Sequence, residues 1–129
     1  AVLARNAAYT PYSKFAVGAA LLTADGRIYT GCNIESASFT PTNCAERTAF
    51  FKAVSEGERR FAAIAIVGAP AGEPADYCPP CGVCRQVMRE FVSPASFRVL
   101  LGYRDGRVRE YTLEELLPQS FGPEDLPHE

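Results

Sequence analysis

The chain has one histidine, His128, and it lies in the tail. Any metal centre is therefore expected to draw on other donors. No stretch approaches the roughly 20 apolar residues that a membrane-crossing helix needs. No charged segment followed by an apolar one marks secretion, so a cytoplasmic location is expected. A basic excess is missing too. Thirteen Lys and Arg face fifteen Asp and Glu, for a net charge of −2, and the cations are scattered. A nucleic-acid backbone demands a basic stripe, so a small molecule is the expected partner, with neither nucleic acid nor membrane. Internal repeats, low-complexity tracts and linkers are absent as well, which points to one domain over residues 1–129.

What is present fits a folded domain. The 129 residues are 47% apolar and 22% charged, an ordinary globular balance. A chain of this size buries roughly two-thirds of its unfolded surface and needs no disulfide frame. It nevertheless carries five cysteines, an odd number, and three of them crowd into Cys78–Cys84. Such clustering reads as metal or redox chemistry rather than cross-linking.

Residues 2–9 read as the end of a helix, stopped at Thr10-Pro11. The apolar runs 15–22 and 27–33 flank Asp25-Gly26, a strong hairpin signal. A loop over 36–43 should give way near Cys44 to a helix that runs to about Glu56 and stops at Gly57. Ala45, Ala49 and Ala53, with Phe50 and Val54, give that helix its apolar stripe. The unbroken apolar run 61–68 predicts a central strand covered on both faces. Residues 69–80 are rich in Pro, Gly and Ala and read as a loop, followed by a second helix from about Cys81 to Val92. Strands are expected at 97–103 and 108–111, around Asp105-Gly106, then a short helix at 113–117 and a loosely held acidic tail. Strands interleaved with helices in this order predict an α/β fold, a three-layer α/β/α sandwich with a central mixed sheet.

Cys81 and Cys84 are spaced i, i+3, which puts both thiols on one face of a helix's first turn. Cys44 opens the other long helix. Helix N-termini carry partial positive charge and free N–H groups, which favour thiolates. Zinc prefers such soft ligands, and three of them leave a fourth tetrahedral position for water. Glu46, two residues after Cys44, could move protons at such a centre. Asn43-Cys44-Ala45-Glu46 also has the form of a capping box, in which Glu46 merely bonds back to the Asn43 N–H. Three thiolates and Zn²⁺ sum to −1, which opposes ionising bound water. Arg47 and Arg85 each follow a cysteine directly and are candidates for offsetting that charge.

Taken together, these residues resemble the small zinc-dependent cytidine deaminase family, over nearly the whole chain. The resemblance rests on Pro11-Tyr12-Ser13-Lys14-Phe15, Val17-Gly18-Ala19-Ala20 and Gly31-Cys32-Asn33-Ile34-Glu35. It continues through Cys44-Ala45-Glu46-Arg47-Thr48 and Pro80-Cys81-Gly82-Val83-Cys84-Arg85-Gln86 to Leu116-Leu117-Pro118-Gln119-Ser120-Phe121. Cysteine rather than histidine before Ala-Glu resembles the free-nucleoside branch. The resemblance implies that Asn33 and Glu35 hold the ribose hydroxyls, that Phe15 packs against the base, and that the Ala45 N–H reads the pyrimidine carbonyl. It also implies a homotetramer in which Phe39 and Phe121 reach over neighbouring sites. Cys78, giving Cys78-Pro79-Pro80-Cys81, and a somewhat long preceding loop depart from the family's usual pattern.

The expected chemistry is hydrolytic deamination of cytidine, and of 2′-deoxycytidine, to the uridine-type nucleoside and ammonia. Zinc-bound hydroxide attacks C4, and Glu46 carries protons first to N3 and then to the leaving amine. The rival expectation is a non-catalytic module in which Cys44, Cys78, Cys81 and Cys84 close a four-cysteine site.

Overall fold

A computed structural model describes residues 1–38 and 40–126. Phe39 and His128, named above, lie outside the described residues. Five strands form one mixed sheet in the order β2-β1-β3-β4-β5: β1 Phe15–Thr23, β2 Ile28–Cys32, β3 Phe61–Pro70, β4 Arg98–Gly102 and β5 Val108–Thr112. β1 runs antiparallel to both β2 and β3, β3 and β4 are parallel, and β5 returns antiparallel to β4. The two Asp-Gly turns lie where the sequence puts them. Gly26 and Gly106 have φ of 92° and 90°, left-handed values that a side chain would resist.

Helix α1 (Ala45–Ser55) and helix α2 (Gly82–Phe91) cover one face of the sheet; a short helix α3 (Leu113–Leu116) follows β5. The apolar alternation of the strands meets them there. Ala19, Leu21, Ile64, Ile66, Val99 and Leu101 form one core with Ala49, Phe50 and Met88 of the helices. Phe50 is fully buried, with the rings of Phe61, Phe91 and Phe97 at 5.1, 5.9 and 6.0 Å. Truncating such a residue typically costs about 3–5 kcal/mol. The alanine stripe of α1 lets that helix sit close to the sheet. A Cβ on Gly31 would come within 2.6 Å of the Ala49 nitrogen. The opposite face carries the thinner third layer, a 3-10 turn at Ala4–Ala7 that abuts Gly18. A 3-10 turn thus stands where the sequence suggested a helix end.

The tail is a correction. It is not loosely held between Ser120 and Glu124. Arg89, buried on α2, donates to the Ser120 hydroxyl at 2.7 Å and pairs with the Glu124 carboxylate. Gln86 donates to the Phe121 carbonyl at 2.8 Å. Acidic composition suggested a solvated tail, but side chains from α2 answer it.

Candidate metal and catalytic centre

The crossover from β3 to β4 carries α2 over the same sheet face as α1, and both helices begin at a cysteine. Cys44 is the N-cap of α1 and Cys81 that of α2. The Cys81 sulfur accepts from the Cys84 N–H at 3.5 Å, so a thiol here does what Ser or Asp does at an ordinary helix start. The Cys44 and Cys81 sulfurs are 3.8 Å apart and those of Cys81 and Cys84 3.4 Å. All three sulfurs lie within 4.8 Å of one another. Tetrahedral zinc with Zn–S bonds of about 2.3 Å sets sulfurs about 3.8 Å apart. The trio therefore fits Zn²⁺ with a fourth position to spare.

Electrostatics favours thiolate at Cys44. The hydrogen-bonded Cys84 thiol and the Arg47 guanidinium draw Cys44 down to about 5 against the effect of burial. The same bond with Cys44 holds Cys84 on the protonated side. Arg47 Nη2 donates to the Cys44 sulfur at 3.3 Å and to the Thr42 carbonyl at 3.4 Å, while its buried Nε has no partner among the described residues. Arg85 is placed differently from what the sequence suggested. Its guanidinium donates to the carbonyls of Pro80, at 2.8 Å, and Leu116, at 2.7 Å. It braces the turn before Cys81 against α3 instead of meeting a sulfur.

Glu46 stands in the first turn of α1, 4% exposed. Burial raises its carboxyl above the usual range, with a hydrogen bond to the Cys84 thiol working against that rise. The capping-box reading is overturned. The N-cap is Cys44 and not Asn43, and the Asn43 N–H is already given to the Ile34 carbonyl at 2.8 Å. A buried carboxyl beside three thiols is thus not explained as a helix cap.

Cys78 is not part of the trio. It packs at Gly68 of β3 instead, where a Cβ would meet its sulfur at 3.0 Å and the Phe15 ring at 3.1 Å. Burial pushes the Cys78 thiol up to about 11. A closed four-cysteine site is therefore not assembled. Cys32, buried in β2, is likewise outside the trio.

The other sequence-derived candidates fall in two groups. Phe15 begins β1 and is 38% exposed. Ala45, fully buried, is the first residue of α1, so its N–H belongs to the helix's open N-terminal turn. Asn33 ties β1 to β2, accepting from the Val17 N–H at 2.9 Å and donating to the Phe15 carbonyl at 2.8 Å. Glu35 accepts the N–H groups of Tyr12 and Ser13 at 3.0 and 3.1 Å and the Ser13 hydroxyl. The Ser13 hydroxyl holds its carboxyl below the usual range. A cleft of about 380 Å³ opens beside it, lined by Tyr12, Ser13, Glu35, Ser36 and Thr42. Phe121, 57% exposed, lies apart in the tail. Arg89 escaped sequence reasoning. Its only signal was a place one helical turn beyond Arg85 and Gln86.

Three sulfurs at zinc spacing with a buried carboxyl beside them are the equipment of a zinc-dependent hydrolase. Its family follows from comparison. Residues 1–98 match the cytidine and deoxycytidylate deaminase zinc-binding region, and the chain belongs to that family. It is 54% identical to a cytidine deaminase of Sporosarcina psychrophila over 123 residues, covering 95% of this chain and 87% of the relative. It is 55% identical to a cytidine deaminase of Halalkalibacterium halodurans over 126 residues, covering 98% and 92%. The crystal structure of a Burkholderia pseudomallei cytidine deaminase superposes with a TM-score of 0.83 at 50% identity, covering 92% of this chain and 91% of that one. Among the described residues, no helix is long and apolar enough to cross a membrane.

Proposed function

We propose that the chain is a single catalytic domain, residues 1–129, that hydrolytically deaminates cytidine and 2′-deoxycytidine in cytoplasmic pyrimidine salvage, acting on free nucleosides and not on nucleic acid or at a membrane. The observation that carries this reading is the buried Glu46 carboxyl beside three thiols that converge at two helix N-termini. Cys44, Cys81 and Cys84 would hold zinc, which when bound polarises water for attack at neutral pH. Glu46 takes a proton from the attacking water and delivers it to N3 of the pyrimidine as C4 becomes tetrahedral. It then takes the proton of the new C4 hydroxyl and passes it to the amino group, so that the C4 carbonyl forms as the C4–N bond breaks and ammonia leaves. Burial raises the proton affinity of Glu46, the direction that suits a group that must both take and give a proton. Arg47 offsets the negative charge of the thiolates through Cys44. Arg85 serves the same centre only by fixing the Pro80 carbonyl before Cys81.

The substrate is held by groups around β1 and β2. Glu35 and Asn33 bind the ribose hydroxyls, Phe15 packs on the base, and the Ala45 N–H meets the pyrimidine carbonyl. Asn33 and Glu35 are hydrogen-bonded to the backbone of β1 and of the segment before it. That bonding supports a fixed, preorganised ribose grip. Four copies assemble, with Phe121 and Phe39 reaching over neighbouring sites. The exposed Phe121 ring is consistent with that role.

The test joins metal analysis of the purified protein to ammonia release from cytidine, with light scattering on the same sample. One zinc per chain, stoichiometric ammonia and a tetramer are expected. Iron in place of zinc, no ammonia, or an active monomer would each overturn the corresponding part.

A further inference from the structure

We infer that Arg89 is a positioning residue for Phe121: it clamps the C-terminal segment to α2 and so fixes the direction of that ring. The inference rests on the proposed role of Phe121 and extends it to groups remote from the thiols.

The tail makes a sharp turn to reach its place. Gln119, a non-glycine residue, has φ of 50°, a left-handed conformation held only where its surroundings impose it. Immediately after it the chain is pinned. Arg89 Nε donates to the Ser120 hydroxyl at 2.7 Å, and Nη2 pairs with the Glu124 carboxylate. Between these anchors, Gln86 Nε2 donates to the Phe121 carbonyl at 2.8 Å. Gly122 lies against the guanidinium, and a Cβ there would run into it. The Gly122 N–H in turn donates to Asp125 at 2.8 Å, which closes the 3-10 turn Pro123–Asp125. Backbone is thus fixed on both sides of Phe121 while the residue stays 57% exposed.

The burial of Arg89 separates this from an ordinary surface pair. Its side chain is 8% exposed, against 60% for Glu124. A long cation is seldom withdrawn from water unless its donors are used, and the fork of the guanidinium serves two acceptors four residues apart, which an ammonium cannot match. Gln86 and Arg89 are i, i+3 on α2, so they share a helix face. About one and a half turns before them, Cys81 caps the same helix and Cys84 lies in its first turn. A rigid helix therefore links the thiol trio to the tail.

The test compares Arg89→Met, Arg89→Lys, Phe121→Ala and the double variant Arg89→Met/Phe121→Ala, each with zinc content and assembly measured. Methionine keeps the apolar stem and removes the donors. Arg89→Met should raise KM for cytidine about five- to tenfold with kcat within about twofold, the pattern of lost binding without lost chemistry. Phe121→Ala should do the same, and the double variant should be no worse than Phe121→Ala, because both act through one ring. Arg89→Lys should recover part of the loss. Hydrogen exchange of residues 118–126 should quicken in Arg89→Met and stay slow in Phe121→Ala. Should Arg89→Met not fold, Ser120→Ala with Glu124→Ala removes both acceptors from the exposed side and is expected to reproduce its KM and exchange. Additive effects, or an unchanged KM in Arg89→Met where Phe121→Ala raises it, would overturn the inference. If Phe121→Ala leaves KM unchanged, the role proposed for Phe121 falls instead. The clamp itself then depends on exchange alone, and unchanged exchange in Arg89→Met overturns it.

Discussion

Arg47 reaches back one turn of α1 to place Nη2 3.3 Å from the sulfur of Cys44. The i, i+3 geometry lets a cation from the first turn of a helix touch the thiol that caps it. A hydrogen bond between charged groups is worth about 1.5–3 kcal/mol. Arg47→Gln should therefore lower kcat/KM by roughly tenfold to a hundredfold, with more easily lost zinc. Kinetics and metal content on the same sample check this. A variant with native zinc and native kcat/KM would make Arg47 a bystander.

Glu46→Gln should keep the fold and the zinc while turnover collapses. Glutamine matches the volume of the buried carboxyl but cannot carry a proton. General acid–base groups supply about 10²–10⁴-fold, and Glu46 serves two transfers, so the loss should lie at or above the top of that range. Steady-state kcat with zinc analysis decides it, and a near-normal kcat would return Glu46 to a structural role.

Glu35 offers a test of the ribose grip. Free cytosine should be a poor substrate next to cytidine, and Glu35→Ala should lower kcat/KM for cytidine about tenfold or more. Its carboxylate also holds Ser13, so Ser13→Ala is the control for a merely loosened segment. Comparable rates on cytosine and cytidine would defeat the assignment, as would a Ser13→Ala loss equal to that of Glu35→Ala.

Some of this was legible in the sequence because its cause is local. Gly57 ends α1 through a φ of 95°, and Cys44 and Cys81 start helices where the spacing put them. Other features depend on contacts that no local pattern carries. The parallel pairing of β3 with β4 joins segments separated by the whole crossover. The N-cap of α1 moved from Asn43 to Cys44 because the Asn43 N–H answers Ile34, nine residues earlier. Arg85 and Arg89 are alike in sequence, yet one meets Pro80 and Leu116 and the other Ser120 and Glu124. Where a long cation points is decided by which carbonyls and carboxylates the fold brings near it.

Cys78 decides between an open catalytic centre and a closed structural one. Pro79 and Pro80 follow it directly, fixing their own φ and favouring extended chain before them. Its thiol lies over Gly68, outside the group formed by Cys44, Cys81 and Cys84. Burial keeps it near 11, on the protonated side at neutral pH, whereas Cys44 is drawn down to about 5. A fourth thiolate would take the site from −1 to −2 and occupy the place that water needs. Cys78→Ser should therefore leave zinc content intact and kcat/KM within about threefold of the native value, the small loss coming from a hydroxyl in a thiol's half-buried place. Cys81→Ser and Cys84→Ser should lose both metal and activity, since each removes one of only three sulfurs. Metal analysis of the three variants side by side reads the difference directly. If Cys78→Ser strips zinc as thoroughly as the other two, the four-cysteine module replaces the open site.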